Sequence, residues 1–207
     1  RPMLMNNVHL YGHPLPLRKA VMPRTADPTL KTRILEAGVT VIRRGGPHAF
    51  QARAVAEEAG CAVGAIYRAY GSLDHLGEAI NVRTLNELLR ALRAIAAASP
   101  SPNSVAMGYI AFARTAGQLW QAVFLLPRPP AVDGMTPLQS ITAVLFDLAE
   151  TIVAGAVGPA KAPRATRLLW TGLHGLTHLD AMQALNLKEG ETMESIAADL
   201  VRAALGR

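Results

Sequence analysis

Gln51 to Leu76 reads QARAVAEEAGCAVGAIYRAYGSLDHL, and this stretch decides the fold. Ala54, Val55 and Ala56 give a first short helix its packing face. Ala59-Gly60 ends that helix, because glycine takes the left-handed conformation at little cost. A second helix follows over about 63–69, with Ile66 as its inward anchor. Two short helices joined by a three-to-four-residue turn that holds glycine are the helix-turn-helix signature. In such a unit the second helix enters the DNA major groove. Spacing alone leaves a second reading open, an ordinary packed helical hairpin.

Upstream, Asp27-Pro28 predicts a helix start, an acidic cap followed by proline at the first helical position. Leu30, Ile34, Ala37 and Val41 then recur at helical spacing until Gly45-Gly46-Pro47 stops the run. Residues 1–25 hold Pro2, Gly12, Pro14, Pro16 and Pro23, too many breakers for a period, and read as a flexible basic arm. Its Arg18, Lys19 and Arg24 are placed to reach phosphates or a minor groove; a tail without a role is the alternative. The arm does not have the order of a secretory signal, since Arg18-Lys19 follow its weakly apolar residues.

Downstream, the pattern is helical throughout and no stretch alternates with strand period. A long helix is predicted over 74–98, with Leu76, Ile80, Leu85, Leu88, Leu89, Leu92 and Ile95 apolar. Ser99-Pro100-Ser101-Pro102 ends it. Further helices are expected over 104–125, 137–157 and 164–185, and from Thr192 to the end. The last carries Met193, Ile196, Ala197, Leu200, Val201, Ala204 and Leu205 on one face. The fold class is all-α, divided into the arm (1–25), a helix-turn-helix domain (26–76) and a helical domain (77–207).

Composition agrees with packed helices: 50% of the 207 residues are apolar but only 5% aromatic. The net charge of +6 is uneven. Residues 1–76 hold ten Lys/Arg against five Asp/Glu, and residues 77–207 hold eleven against ten. The excess thus sits with the helix-turn-helix, where a phosphate backbone would attract it. A single cysteine, Cys61, excludes an internal disulfide framework and a cysteine-based zinc finger. It fits a reducing cytoplasm, the expected location. No apolar run approaches the roughly 20 residues that span a bilayer, so no membrane is expected. There is no G-x-S-x-G nucleophile motif, phosphate-binding glycine loop or paired-carboxylate motif, so an enzyme is not expected.

The residues also carry a family likeness. Val55-Ala56, Ala59-Gly60, Gly64, Ile66-Tyr67, Tyr70, Ser72 and Leu76 form a pattern that resembles the TetR family of transcriptional regulators. The segment WTGLHGLTHLD, Trp170 to Asp180, resembles a Trp-His-Gly segment in the C-terminal domain of one TetR subgroup. The resemblance implies an all-helical homodimer binding a palindromic operator, usually as a repressor. A C-terminal ligand-binding and dimerisation domain would take a small molecule that releases the DNA. Three positions depart from the pattern. Ala62 stands where Ser or Thr caps the recognition helix, Leu73 where a Lys contacts phosphate, and Gln51 where Ser or Thr precedes the second helix. They leave a second function open, a helical small-molecule-binding or interaction protein with weak or lost operator binding.

The expected DNA-binding residues are Gln51, Arg53, Ala62, Gly64, Ala65, Tyr67, Arg68 and Tyr70. The resemblance gives Tyr67 a phosphate contact, while Tyr70 is as readily a packing aromatic. Arg53 and Arg68 flank the turn and suit phosphates or guanine edges. Gly64 and Ala65 leave room for close approach to the groove, so affinity would rest on phosphates and shape. The expected effector site comprises Met107, Tyr109, Phe112, Trp120, Phe124, Phe146, Trp170, His174 and His178, for a mostly hydrophobic, uncharged or weakly polar molecule. At this spacing the same residues also suit plain core. His174 and His178 share a helix face, but no properly placed third ligand makes them a metal site. No cofactor is expected. Cys61 fits an apolar packing place in the turn.

Overall fold

The computed structural model describes residues 28–130 and 134–206. The arm, with Arg18, Lys19 and Arg24, and the expected cap Asp27 lie outside the described residues. Among the described residues every regular element is helical. They are α1 (Leu30–Gly45), a 3-10 turn (Pro47–Ala49), α2 (Ala52–Ala59), α3 (Val63–Tyr70), α4 (Leu73–Ala98), α5 (Pro102–Ala116), α6 (Gln118–Leu125), α7 (Pro137–Val157), α8 (Ala162–Ala181) and α9 (Met193–Ala204).

Two apolar cores form. The first gathers Ile34 and Ile42 of α1, Val55 of α2, Ile66 of α3 and Leu76 and Ile80 of α4, all fully buried. The second gathers Leu85, Leu88 and Leu92 of α4 with residues of α5 to α9. Helix α4 therefore belongs to both. Ser72 caps it, its hydroxyl accepting from the His75 amide at 3.1 Å. Arg83, midway between the two cores, bonds Glu36 of α1 and Glu87 of α4 and ties the helix to the head. On the far side Arg114 of α5 reaches Asp180 of α8 and Glu194 of α9 at 3.2 and 2.6 Å.

The expected single helix over 104–125 is two helices. Gly117 has φ 53° and ψ −115°, close to the first central residue of a type II′ turn, which only glycine adopts without strain. The break turns α6 so that Leu119, Ala122 and Leu126 enter the head's core while Trp120 and Val123 enter the other. The helix expected over 164–185 runs Ala162–Ala181, ended by Met182 and by Gln183 at φ 56°.

A second correction concerns α7. It is 21 residues long with mean hydropathy 1.6, and by length and composition it meets the test for a bilayer span. The short polar side chains of Ser140, Thr142 and Thr151 had hidden this apolar run. All three hydroxyls bond carbonyls one turn back, Ser140 to Thr136, Thr142 to Leu138 and Thr151 to Asp147. The helix packs on α4, α5 and α8 through one face. A single such helix is weak evidence for a membrane.

Around Trp120 the second core is aromatic. Tyr109, Phe112 and Phe124 meet the Trp120 ring edge-on at 5.2, 6.0 and 5.1 Å. His174 lies 4.1 Å from Phe124 and stacks on Trp170 at 5.7 Å with planes 10° apart. Burial, and then the charge of nearby His178, hold the His174 pKa below its ordinary value.

Two outcomes are expected from this packing. Gly117→Ala should destabilise the chain by about 1–3 kcal/mol in denaturant unfolding, because alanine cannot adopt that conformation without strain. The depressed His174 pKa means the unfolded chain binds more protons than the native one just below the ordinary imidazole range. Stability should therefore fall on acidification from about pH 7 to 5, and His174→Phe should flatten that fall in Tm measured against pH.

Candidate functional site

Two places in the fold can do chemistry of recognition. One is the exposed face of the head, the other a cavity in the helical half.

In the head, α2 ends at Gly60, whose φ of 62° and ψ of 42° are the left-handed cap read from the sequence. The amides of Gly60 and Cys61 close the turn on α2 carbonyls, Glu57 and Ala56. Arg33 of α1 donates to the Ala59 carbonyl at 3.0 Å and fixes the turn from behind. Ile66 is fully buried, which sets the rotation of α3. Ala62, Gly64, Tyr67 and Arg68 then face solvent, joined from α2 by Gln51 and Arg53. Tyr67 is 47% exposed, a large aromatic that the head does not use for its own packing. A methyl at Gly64 would meet only the Arg68 guanidinium, at 3.5 Å, so this face is open to close approach.

Two expected residues stand apart. Ala65 is 5% exposed, so it is not on the presented face. It sits beside Ile66 on the inward side of an eight-residue helix, where helical period leaves it no exposure. Tyr70 donates its hydroxyl to the Lys31 carbonyl at 2.8 Å, with the Lys31 ammonium 5.1 Å from its ring. Burial, and then Glu36, push its pKa up. This tyrosine ties α3 to α1.

The departures from the family pattern have physical counterparts. Ala62 is the N-cap of α3 in extended conformation, with no side-chain bond to the helix's free amides. Gln51 at the start of α2 makes none either. Leu73 packs against the head's core. Cys61 also packs there.

The cavity lies between α4, α5, α6, α7 and α8 and has a volume of about 930 Å³. Leu85, Leu88 and Leu92 of α4 form one wall, and Leu138, Phe146 and Val153 of α7 face them. Both tryptophans, Trp120 and Trp170, line it, with Tyr109 and Phe124. Burial pushes the Tyr109 pKa up, partly offset by Thr177. Its hydroxyl lies 3.4 Å from Nδ1 of His174.

Of the residues expected here, Tyr109, Trp120, Phe124, Phe146 and Trp170 come together on the wall. Met107, Phe112, His174 and His178 do not reach it. Met107 lies two residues from Val105 and Tyr109, on another side of α5. Phe112 packs behind the Trp120 ring. His174 lies one turn beyond Trp170, screened by Phe124. His178 is exposed a further turn along, its ring 6.1 Å from His174. Among the described residues no three His, Cys, Asp or Glu are grouped to hold a metal. Sequence reasoning missed the α4 leucines, whose apolar spacing marked them only as core. It also missed Glu78 and Thr166, polar groups buried in the wall.

Comparison with known proteins puts names to both halves. Residues 34–80 match the model of bacterial regulatory proteins of the tetR family. Residues 102–204 match the tetracyclin repressor-like C-terminal domain. No curated protein matches the sequence. Among solved structures, a TetR-family member from Streptomyces coelicolor is 20% identical with a TM-score of 0.58, over 84% of this chain and 98% of that one. The fatty acid degradation regulator FadR from Bacillus halodurans is 13% identical with a TM-score of 0.64, over 86% and 95%. The multidrug binding protein EbrR, complexed with ethidium, is 22% identical with a TM-score of 0.63, over 86% and 99%. At these identities the structures share the fold, and the family matches carry the assignment. Matched in its helix-turn-helix head and again in the half that holds the cavity, the chain belongs to the TetR family of transcriptional regulators.

Proposed function

We propose that this regulator is a repressor that binds a palindromic operator as a homodimer in the cytoplasm and is released by a small hydrophobic molecule held in the cavity. The observation that carries the reading is α4. One end is locked into the head's core at Leu76 and Ile80, and the other lines the cavity at Leu85, Leu88 and Leu92. An effector that fits the cavity better in one setting of α4 than another shifts the head by that difference in affinity. The exposed face of Ala62, Gly64, Tyr67 and Arg68, with Gln51 and Arg53, is the side offered to DNA. Tyr67 and Arg53 are assigned to phosphates, and half-sites about 34–36 Å apart would suit a dimer. Val144 of α7 and Leu168 and Leu179 of α8 are exposed apolar side chains on the long helices, and they support pairing through that face.

The uncapped α3 and the packed Leu73 favour one rival, a small-molecule-binding protein that no longer holds an operator. A mobility-shift titration on the chain's own upstream DNA decides between them. Absence of a specific complex at low salt would sink the repressor reading. Given a complex, Tyr67→Phe and Arg53→Ala should each weaken specific and random DNA alike. Arg53→Ala should also lower the slope of log affinity against log salt by about one. A change in sequence preference alone would refute the phosphate assignment. Ala62→Ser should stabilise α3 by about 1 kcal/mol and tighten the operator complex, because the hydroxyl supplies the absent cap. No gain in either measurement would show that the cap position is not limiting.

A further inference from the structure

Helix α3 has few side chains with which to read a base. Ala65 and Ile66 are buried, and Tyr70 is held to the Lys31 carbonyl. Val63 and Ala69 pack on the head's core. Gly64, Tyr67 and Arg68 remain on the presented face, with the cap residue Ala62 before them. Gly64 has no side chain and Ala62 only a methyl. Tyr67 is assigned to a phosphate. Arg68 is therefore the one long hydrogen-bond donor that α3 can bring to base edges.

The place of its guanidinium matters as much as its chemistry. A recognition helix meets base edges with its N-terminal part. Arg68 stands in the last turn of α3, yet a Cβ added at Gly64 would lie 3.5 Å from its Nη1. The side chain thus runs back one turn along the helix, the direction in which long helical side chains lean. Its charged end lies over Gly64, in the first turn, where the absent side chain leaves room for the groove. Arg68 is exposed and makes no hydrogen bond or ion pair among the described residues, so its donors are uncommitted. A guanidinium is a fork of donors without an acceptor. In the major groove guanine sets two acceptors side by side, N7 and O6, whereas adenine sets its N7 beside a donor. Guanine alone answers both prongs.

We propose that Arg68 is the specificity-determining residue of the head and reads one guanine in each operator half-site, through N7 and O6. The proposal rests on the operator-binding reading and adds what the head reads there. Ala62 contributes at most an apolar contact to a thymine methyl. Sequence preference is then narrow, with one strong position in each half-site, while affinity comes from phosphates.

Selection from random-sequence duplexes by the intact chain supplies the site for the test. The selected sequence should be an inverted repeat with one invariant guanine in each half. Arg68→Ala should weaken binding to it about 10- to 100-fold and lose the preference at that position. Its affinity for random DNA and its salt slope should stay nearly as they were. Replacing the guanine by 7-deazaguanine removes the N7 acceptor. It should weaken the native complex and leave the Arg68→Ala complex unchanged, since that contact is already gone. A selected site without an invariant guanine, or no selected site from a chain that does bind DNA, overturns the proposal and leaves DNA binding standing. So does a native complex indifferent to 7-deazaguanine, or an Arg68→Ala chain that still prefers guanine. Equal loss of specific and random DNA with a shallower salt slope would make Arg68 a phosphate contact instead. If the intact chain forms no complex at low salt, the operator reading falls and the proposal falls with it. Should Arg68→Ala fail to fold, the 7-deazaguanine comparison on the native chain still decides.

Discussion

Helix α4 is the constraint on which the rest depends. It is 26 residues long and shared between two cores that have no other long element in common. At about 1.5 Å per residue, Leu76 and Leu92 lie about 24 Å apart along one rigid rod. Leu76 and Ile80 are fully buried in the head, so the head cannot turn without carrying the helix. Leu88 and Leu92 are almost as buried at the other end. Arg83 holds the middle to α1 through Glu36. The family's two functions, reading DNA and sensing a molecule, are therefore mechanically joined before any ligand is considered.

The cavity exists because α4 to α8 do not close on one another. A packed interior leaves few voids larger than a water, so a space of about 930 Å³ between five helices is not a packing defect. In its wall aromatic rings meet edge-on around Trp120. Along α7 the residues are mostly only partly buried. A molecule in that space would add apolar contacts chiefly along α7, since the α4 leucines are already buried.

How much of this was legible in the sequence follows from how local each feature is. The head was legible because its signals lie in one contiguous run. Gly60 takes the left-handed cap and Ile66 the buried anchor, each decided by neighbours a few residues away. Ala65 was misplaced because one residue of helical phase separates the inward from the presented side of α3. The cavity was half legible. Aromatic residues at helical spacing mark a packed face but not which part of it meets open space. Trp120 and Phe112 share that signal, yet one lines the cavity and the other backs it. The break at Gly117 left no trace in the apolar period, since the chain stays helical on both sides of a single residue. Glu78 was hidden by its ordinariness: an acid in a long helix reads as solvated until the packing shows what covers it.

Helix α6 makes the coupling tighter than α4 alone would. It has eight residues, and its two faces serve different cores. Leu119, Ala122 and Leu126 fill the head's interior, while Trp120 and Val123 stand in the cavity wall. So short a helix cannot bend between its faces. A molecule that displaces Trp120 must move Ala122, which is fully buried against the head. The Gly117 turn is what allows this placement. A continuous α5 would have carried the α6 residues along its own axis and left the head's core without them. The same break that defeats a sequence-based helix boundary supplies a second rigid path between cavity and DNA-reading head. With α4 and α6 both contributing to the two cores, the head has two attachments to the cavity half rather than one.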